Sequence, residues 1–367
     1  MTVTSDLSAR PEDGGRLATV PSPGRSELAG RSVSGMRFGV GIPFRPDPSS
    51  PKDPLRTTFE WCTRAEELGF DFGQVGHHRF SAGFGASPWV ALAAVAARTS
   101  TLHLGTGIFL LPLDHPLDVA EEVATLDQVS GGRAFLGAGL GYRRYEWEAL
   151  GLPYEQRGGR MTEALEVVQR AWTEEKVTFR GEHFAFEEVE VLPKPVQQPR
   201  PRIWIGANTE AGVRRATRLA DGWMVGFGDR LPALEPRVTE FREASKANGR
   251  AGEICLMRLV GIGASREEVA ETWLPGVLDM LRGYRRAGAP GERNEEASST
   301  LRSSGGRATF AELGNDMFIA GTPDDVIAGI RRCREMTGCE HFVPTLGGAD
   351  PFGALELFGR EVIPAFR

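Results

Sequence analysis

Cysteine is scarce in this 367-residue chain, and none of its cysteines forms a CxxC pair. The four are Cys62, Cys255, Cys333 and Cys339. A chain of this length can build a core without disulfides, so we expect a reduced, cytoplasmic protein. Each cysteine is then expected to act as a small buried apolar residue rather than as a nucleophile.

Long apolar runs and an excess of positive charge are missing as well. No stretch approaches the roughly 18 consecutive apolar residues that a membrane-spanning helix needs. The formal net charge is -6 with both signs mixed along the chain, whereas nucleic-acid binding needs a basic face. We therefore expect neither a membrane nor a nucleic acid as a partner.

The first 35 residues lack the apolar segment of a signal peptide and are rich in Ser, Gly, Pro and charge. Such a composition cannot bury a core, so we expect residues 1–35 to be a disordered tail. The folded domain is expected over residues 36–367, with Met36 as an alternative translation start.

The motifs that mark hydrolases, kinases and zinc enzymes are absent, because the sequence has no GxSxG, no P-loop and no HExxH. Four of the six histidines are scattered, so we expect no metal site. The segment Gly137–Gly141 reads GxGxG and lacks the helix and acidic residue of a dinucleotide-binding fingerprint. We interpret its glycines as allowing close approach to a ligand or a neighbouring strand.

The sequence does contain a regular alternation of short apolar segments and amphipathic helical segments. This alternation predicts an α/β fold, a (β/α)8 TIM barrel with insertions. The eight predicted strands cover residues 36–43, 70–77, 102–110, 133–139, 202–206, 222–226, 253–263 and 340–345. Residues 176–190 are expected to form an inserted hairpin. Residues 288–314 are rich in Gly, Ser, Glu and Arg without periodicity, and we expect a mobile lid segment between strands seven and eight.

Two segments at predicted strand ends can carry chemistry. His77 and His78 stand where strand two stops, and side chains alternate along a strand, so only one of them is expected to face the barrel interior. The residues alone leave a catalytic and a structural histidine equally open. After strand five, Ala207, Asn208 and Thr209 precede a helix whose N-terminus can bind an anion, although helix capping is the simpler role.

Taken together, several segments resemble the bacterial luciferase-like superfamily of flavin- or deazaflavin-dependent oxidoreductases. The resemblance covers the chain from about Met36 to its end, and the motifs are specific as a set rather than singly. The matching segments are Gly76–Phe80, Leu104–Pro116, Glu121–Arg133, Gly139–Arg143, Pro193–Gln197, Trp204–Gly206, Arg214–Trp223 and Gly321–Asp324.

This resemblance implies a TIM barrel that holds reduced flavin at its C-terminal mouth. It implies an acid–base role in oxygen chemistry for His77, a non-prolyl cis peptide at Gly107–Ile108, and a phosphate site at the loop after strand five. His78 is then expected at the rim or in packing. The residues implied in cofactor binding are Thr106, Gly107, Ile108, Gly139, Tyr142, Gly206, Ala207, Asn208 and Thr209.

The chain departs from the family pattern at three positions. Gly76 replaces the Glu that often precedes the histidine pair. Gly139 stands where the light-emitting subunit has a reactive Cys, so nothing suggests luminescence. Leu140 stands where that subunit has a phosphate-binding Arg, which leaves Arg143 or Arg144 as replacements.

We expect a monooxygenase that uses reduced FMN and O2 to oxygenate a small organic substrate, with FMNH2 supplied by a separate reductase. The alternatives are a coenzyme F420-dependent hydride transferase and, from another class, a non-catalytic flavin-binding barrel. Phe44, Phe80 and Phe84 are expected to line the substrate pocket, whereas core packing is favoured for Phe109 and Trp223. Relatives of this kind are usually homodimers formed through the early helices, so a homodimer is expected.

Overall fold

The computed structural model describes residues 35–44, 52, 55–81, 87–286 and 318–367, with backbone alone for 284–286. Eight parallel strands close into a barrel with helices between them, which confirms the predicted TIM barrel. The strands are β1 (Arg37–Gly41), β2 (Phe72–Val75), β3 (His103–Thr106), β4 (Ala134–Ala138), β5 (Val177–Arg180), β6 (Ala185–Val189), β7 (Arg202–Gly206), β8 (Gly222–Val225), β9 (Glu253–Ile262), β10 (Phe318–Gly321) and β11 (His341–Thr345). The barrel order is β1-β2-β3-β4-β7-β8-β9-β11, and β11 pairs with β1 to close it.

Helices cover the outside of the barrel and follow most of its strands. They are α1 (Arg56–Glu67), α2 (Pro88–Ala96), α3 (Pro116–Ser130), α4 (Arg144–Ala149), α5 (Arg157–Thr173), α6 (Glu210–Leu219), α7 (Leu231–Ala247), α8 (Arg266–Thr272), α9 (Leu274–Arg286), α10 (Pro323–Thr337) and α11 (Pro351–Leu357). As the sequence suggests, Gly69 follows α1 with a φ of 85°, a conformation that glycine adopts readily. Within the described ranges, no helix combines the length and the apolar character needed to cross a membrane.

The barrel interior is filled by a layer of large side chains from alternate positions on the strands. Phe72, Phe135 and Trp204 contact one another with ring centroids 5.1–5.8 Å apart. Met224, Cys255 and Val343 complete this layer. All four cysteines are buried with free thiols, as expected from their spacing. The interior is therefore a packed core, and ligands have room only at its ends.

Some family-like motifs serve the fold rather than the site. Asp127 on α3 is fully buried, and its carboxylate accepts hydrogen bonds from the Gln197 backbone N–H at 2.9 Å and the Gln197 side chain at 2.6 Å. The Gln197 side chain also donates to the Ala134 carbonyl at 2.7 Å. This clip fastens the segment before β7 to the start of β4.

The structure corrects several predicted boundaries. β2 ends at Val75, two residues before His77, and β3 ends at Thr106, before the cis peptide Gly107–Ile108. Strand β10, which pairs with the outer end of β9, and the short helix α4 were not predicted. The inserted hairpin is confirmed as β5 and β6. The predicted tail and lid segments lie outside the described residues, apart from Gly35.

Candidate active site

The histidine pair lies in a loop past the end of β2 rather than on the strand. Strand alternation therefore does not separate the two side chains, and both of them line the same cavity. Their neighbours nevertheless differ: His77 contacts the chain after β3, whereas His78 contacts α4. The argument from strand alternation that only one histidine faces the barrel interior does not apply here, because β2 ends at Val75.

His77 is buried and held by backbone and ring contacts. Its Nδ1 accepts a hydrogen bond from the Leu110 N–H at 3.3 Å, and its ring stacks on Phe109 with centroids 4.7 Å apart. Burial, followed by the charges of Arg79 and His78, lowers the pKa of His77 to about 3. The ring is therefore neutral near pH 7, and since Nδ1 is an acceptor, its proton resides on Nε2. His77 can present an N–H donor but accepts protons poorly.

The peptide Gly107–Ile108 is cis, as the resemblance implies. The Ile108 side chain lies between two glycines at the ends of neighbouring strands. A Cβ on Gly139 would come within 2.5 Å of Ile108 Cδ1, and one on Gly206 within 2.7 Å of Ile108 Cγ2. Both glycines are thus required for Ile108 to lie here, partly exposed at the mouth. We call these three residues the Ile108 platform.

Thr106 has a different position from the rest of the proposed cofactor contacts. Its side chain is fully buried. The hydroxyl donates to the Gly137 carbonyl at 2.8 Å and accepts from the Gly137 N–H at 3.2 Å. Thr106 therefore holds β3 against β4 beneath the platform.

The loop after β7 has the features of an anion site. Asn208 and Thr209 are exposed, and the Thr209 hydroxyl caps α6 by accepting from the Gly212 N–H at 3.3 Å. The remaining N–H groups of the first turn have no partner within the helix and point out of its N-terminus. Arg237 pairs with Asp229 at 3.3 Å and donates to the Asn208 carbonyl, also at 3.3 Å, so its guanidinium lies beside the loop. Thr209 thus serves as the cap, and the backbone beside it is suited to a phosphate.

The platform and this loop lie at the ends of adjacent strands, which fits a flavin. Gly206 ends β7 at the platform, and the anion loop starts at the next residue. A planar ring over the platform and a phosphate at the loop would therefore be served by neighbouring segments. Arg143, one of the two replacement cations, donates to the Ser81 hydroxyl at 3.1 Å, and the other, Arg144, pairs with Glu155.

Glu146 is a site residue that sequence reasoning missed. This α4 carboxylate is fully buried, and its Oε1 lies 3.0 Å from His78 Nδ1 and accepts from the Arg79 N–H at 2.8 Å. Tyr142 meets the His78 ring edge-on, with centroids 5.4 Å apart. His78, which was expected at the rim or in packing, is 9% exposed and paired with this acid. No local sequence pattern predicts the contact between His78 and Glu146, because 67 intervening positions separate them along the chain.

A cavity of about 490 Å³ opens beside the two histidines. Trp89 and Phe109 give it an apolar wall, and Asp114, paired with Arg79, gives it a charged one. Phe109 thus packs in the core and also lines the cavity. The cavity has both an apolar surface and groups that can donate or accept protons, which suits a small organic molecule.

Of the three phenylalanines predicted to line the substrate pocket, the structure describes two, and one of these lines the cavity. Phe80 lines the cavity and is 65% exposed. Phe44 is partly buried just past β1 and is not among the described residues that line this cavity. Phe84 lies outside the described residues. Trp223 is fully buried, and its indole N–H donates to the Ala207 carbonyl at 2.9 Å, so it supports the anion loop from within the core.

Comparison with known proteins gives a consistent picture. The model of a family described as luciferase-like monooxygenase matches residues 36–341. An FMNH(2)-dependent dimethylsulfone monooxygenase from Pseudomonas putida is 28% identical over 83% of this chain and 85% of its own length. An F420-dependent glucose-6-phosphate dehydrogenase from Segniliparus rotundus is 29% identical over 85% of this chain and 94% of its own. The crystal structure of monooxygenase RslO1 from Streptomyces bottropensis superposes with a TM-score of 0.71 at 28% identity, covering 90% of this chain and 100% of that one.

Proposed function

The chain belongs to the luciferase-like monooxygenase family and is an oxidoreductase, and we propose that it is a monooxygenase that uses reduced FMN and O2. Its substrate is a small organic molecule bound in the cavity beside His77. A separate reductase supplies FMNH2, because no dinucleotide-binding fingerprint accompanies the barrel in this sequence.

The observation that carries this proposal is the position of His77 relative to the platform. His77 is fastened to Leu110, two residues past Ile108, and it lines the cavity. A ring over the Ile108 platform and the neutral imidazole would therefore be held by the same segment after β3, while the platform residues themselves are not among the described residues that line the cavity. The anion loop at Asn208 and Thr209 would hold the phosphate of the same molecule.

The protein's own groups then have distinct tasks. Bound reduced FMN supplies the two electrons that activate O2. His77 holds a proton at Nε2 and donates a hydrogen bond toward the reacting atoms, an orientation fixed by Leu110 and Phe109. Trp89 and Phe109 exclude water from one side of the cavity, which protects reactive species from premature hydrolysis.

A hydride transferase that uses coenzyme F420 is the second candidate, and one observation favours it. The F420-dependent relative is as similar to this chain as the FMNH(2)-dependent one, at 29% and 28% identity. The Gly76–Phe80 segment inclines us to FMN. We also propose a homodimer formed through the early helices, where Val90 on α2 and Val129 on α3 are 72% and 53% exposed.

Anaerobic binding titrations test the cofactor assignment. The purified chain is titrated with chemically reduced FMN and, separately, with reduced F420, and binding is followed by fluorescence. We expect FMNH2 to bind at least tenfold more tightly. Tighter binding of reduced F420 would favour the hydride transferase, and binding of neither would refute both flavin-dependent functions.

A further inference from the structure

The acid beside His78 has an unusual environment for a carboxylate that serves only the fold. Glu146 is fully buried, its Oε1 contacts His78 Nδ1 and the Arg79 N–H, and its Oε2 is buried with no hydrogen-bond partner. A buried carboxylate with an unbonded oxygen is costly unless a positive charge compensates it. A protonated His78 imidazole would supply that charge at 3.0 Å.

The orientation of His78 follows from this contact. A carboxylate only accepts hydrogen bonds, so the proton on the neutral His78 ring must be on Nδ1. The other nitrogen, Nε2, then carries a lone pair, and His78 is among the residues that line the cavity. His78 therefore has the opposite tautomer to His77, whose Nδ1 accepts from Leu110.

The two histidines thus differ in what they can do near neutral pH. Burial lowers the pKa of His77 to about 3, so this ring does not take up a proton under working conditions. An imidazole backed by a carboxylate is the usual arrangement for accepting and returning one, because the acid stabilises the imidazolium that forms.

We propose that the His78–Glu146 pair is the proton-exchanging group of this cavity, with His78 as the acid–base residue and Glu146 as its positioning residue. An O–H or N–H group of a molecule bound in the cavity gives its proton to Nε2, the ring becomes imidazolium beside the Glu146 carboxylate, and the same proton is later returned. His77 keeps its proton on Nε2 and acts as a hydrogen-bond donor. The proposal rests on the proposed function, because it takes the cavity as the place of reaction.

Other charged and titratable groups surround His78. Arg79 follows it in the chain, and its charge opposes protonation of the neighbouring His77. Tyr142 lies edge-on to the ring, and the Arg143 guanidinium lies 5.7 Å from the Tyr142 ring centroid. Asp114, which pairs with Arg79, and Glu122, whose pKa burial raises to about 7, line the same cavity. Of the groups named here, Glu146 alone is a carboxylate in hydrogen-bond contact with His78, so its removal is the decisive perturbation.

The first test needs no flavin. In protein labelled with 15N-histidine, the His78 ring signals are identified by their loss in His78→Asn, and their 15N shifts report which nitrogen is protonated. We expect Nδ1–H in the wild type, and a changed tautomer or protonation state in Glu146→Gln. A wild-type His78 protonated on Nε2 alone would overturn the proposal, whatever the variants do.

The second test uses reduced FMN and O2 as probes in stopped flow. Oxidation of FMNH2 by O2 to FMN and H2O2 requires proton transfers, and its rate is recorded from pH 6 to 9. We expect about a 100-fold loss in His78→Asn and Glu146→Gln, the usual size of an acid–base contribution, and a flattened pH profile in both. Glu146→Gln retains an oxygen that can accept from the Arg79 N–H, so a role limited to bracing the loop predicts little loss.

The control is Glu155→Gln, because Glu155 is a carboxylate whose side chain is 71% exposed and which lies only nine positions along the chain. We expect its rate to stay within twofold of the wild type. Rates within twofold of the wild type in both His78→Asn and Glu146→Gln would overturn the proposal. If FMNH2 fails to bind any of these proteins, the proposed function fails instead, and the tautomer measurement still decides the protonation of the pair.

Discussion

His103 gives a quantitative test of the electrostatics of the barrel. It opens β3, where burial, then the charges of Arg37, Arg133 and Arg202, lower its pKa to about 3. Unfolding returns the ring to water, where its pKa is 6.5. Above pH 6.5 both states are neutral. Below pH 6.5, His103 binds a proton in the unfolded chain but not in the folded chain. The free energy of unfolding therefore falls as the pH drops from about 6.5 toward 3.

The size of this effect follows from the two pKa values. Between pH 8 and pH 5, a shift from 6.5 to about 3 removes roughly 2 kcal/mol from the free energy of unfolding. His103→Gln abolishes the titration while keeping a polar side chain. Between pH 8 and pH 5, the free energy of unfolding of the variant is therefore expected to fall by roughly 2 kcal/mol less than that of the wild type, whatever the stability of the variant at pH 8.

Urea unfolding at pH 8, 7, 6 and 5 measures the difference directly. Other groups also titrate in this range, including His341, whose pKa burial likewise lowers to about 3, so the comparison is between variant and wild type. His115→Gln is the control, because His115 is exposed in the folded state. Equal losses in His103→Gln and the wild type would refute the reasoning.

Three further predictions concern the site and its support. His77→Ala should lower turnover with FMNH2 at least about 100-fold while FMN affinity changes less than threefold; an unchanged turnover would point to a non-catalytic barrel. Gly139→Ala should weaken FMN binding about tenfold in a fluorescence titration, because the new Cβ would come within 2.5 Å of Ile108. Gly276→Ala, which has open space, is the control, and equal affinities would argue against the platform. Gln197→Ala should cost about 2 kcal/mol in urea unfolding, because it leaves the buried Asp127 short of a donor; a change below about 0.5 kcal/mol would show that the clip does not matter.

The fold was predictable because each barrel segment carries its own local signal. Apolar strand runs such as 102–106, the turn at Gly69 and the amphipathic α5 are consistent with one another. β10 was missed because it is a four-residue strand after a segment without periodicity. The boundary at Val75 was missed because Gly76, His77 and His78 do not differ clearly from strand residues.

The residues of the candidate site likewise fall into those proposed from the sequence and one, Glu146, that was missed. Gly107 and Ile108 were proposed only through the family resemblance, and His77 through its place at the end of a predicted strand. Glu146 lies on a short helix far along the chain from His78, and only the folded barrel brings the two together. The expectation that only one of the two histidines faces the barrel interior relied on strand geometry that ends at Val75. Sequence spacing predicts contacts within an element well, and contacts between loops poorly.

Oxygen uptake tests the central claim most directly. The chain is mixed with FMNH2 from a separate reductase and a panel of small ketones, sulfones and aldehydes, and O2 consumption and oxygenated product are measured together. We predict that at least one compound is oxygenated with one O2 consumed per product, and that reduced F420 does not substitute for FMNH2. Turnover that occurs with reduced F420 alone, and in the absence of O2, would contradict the account.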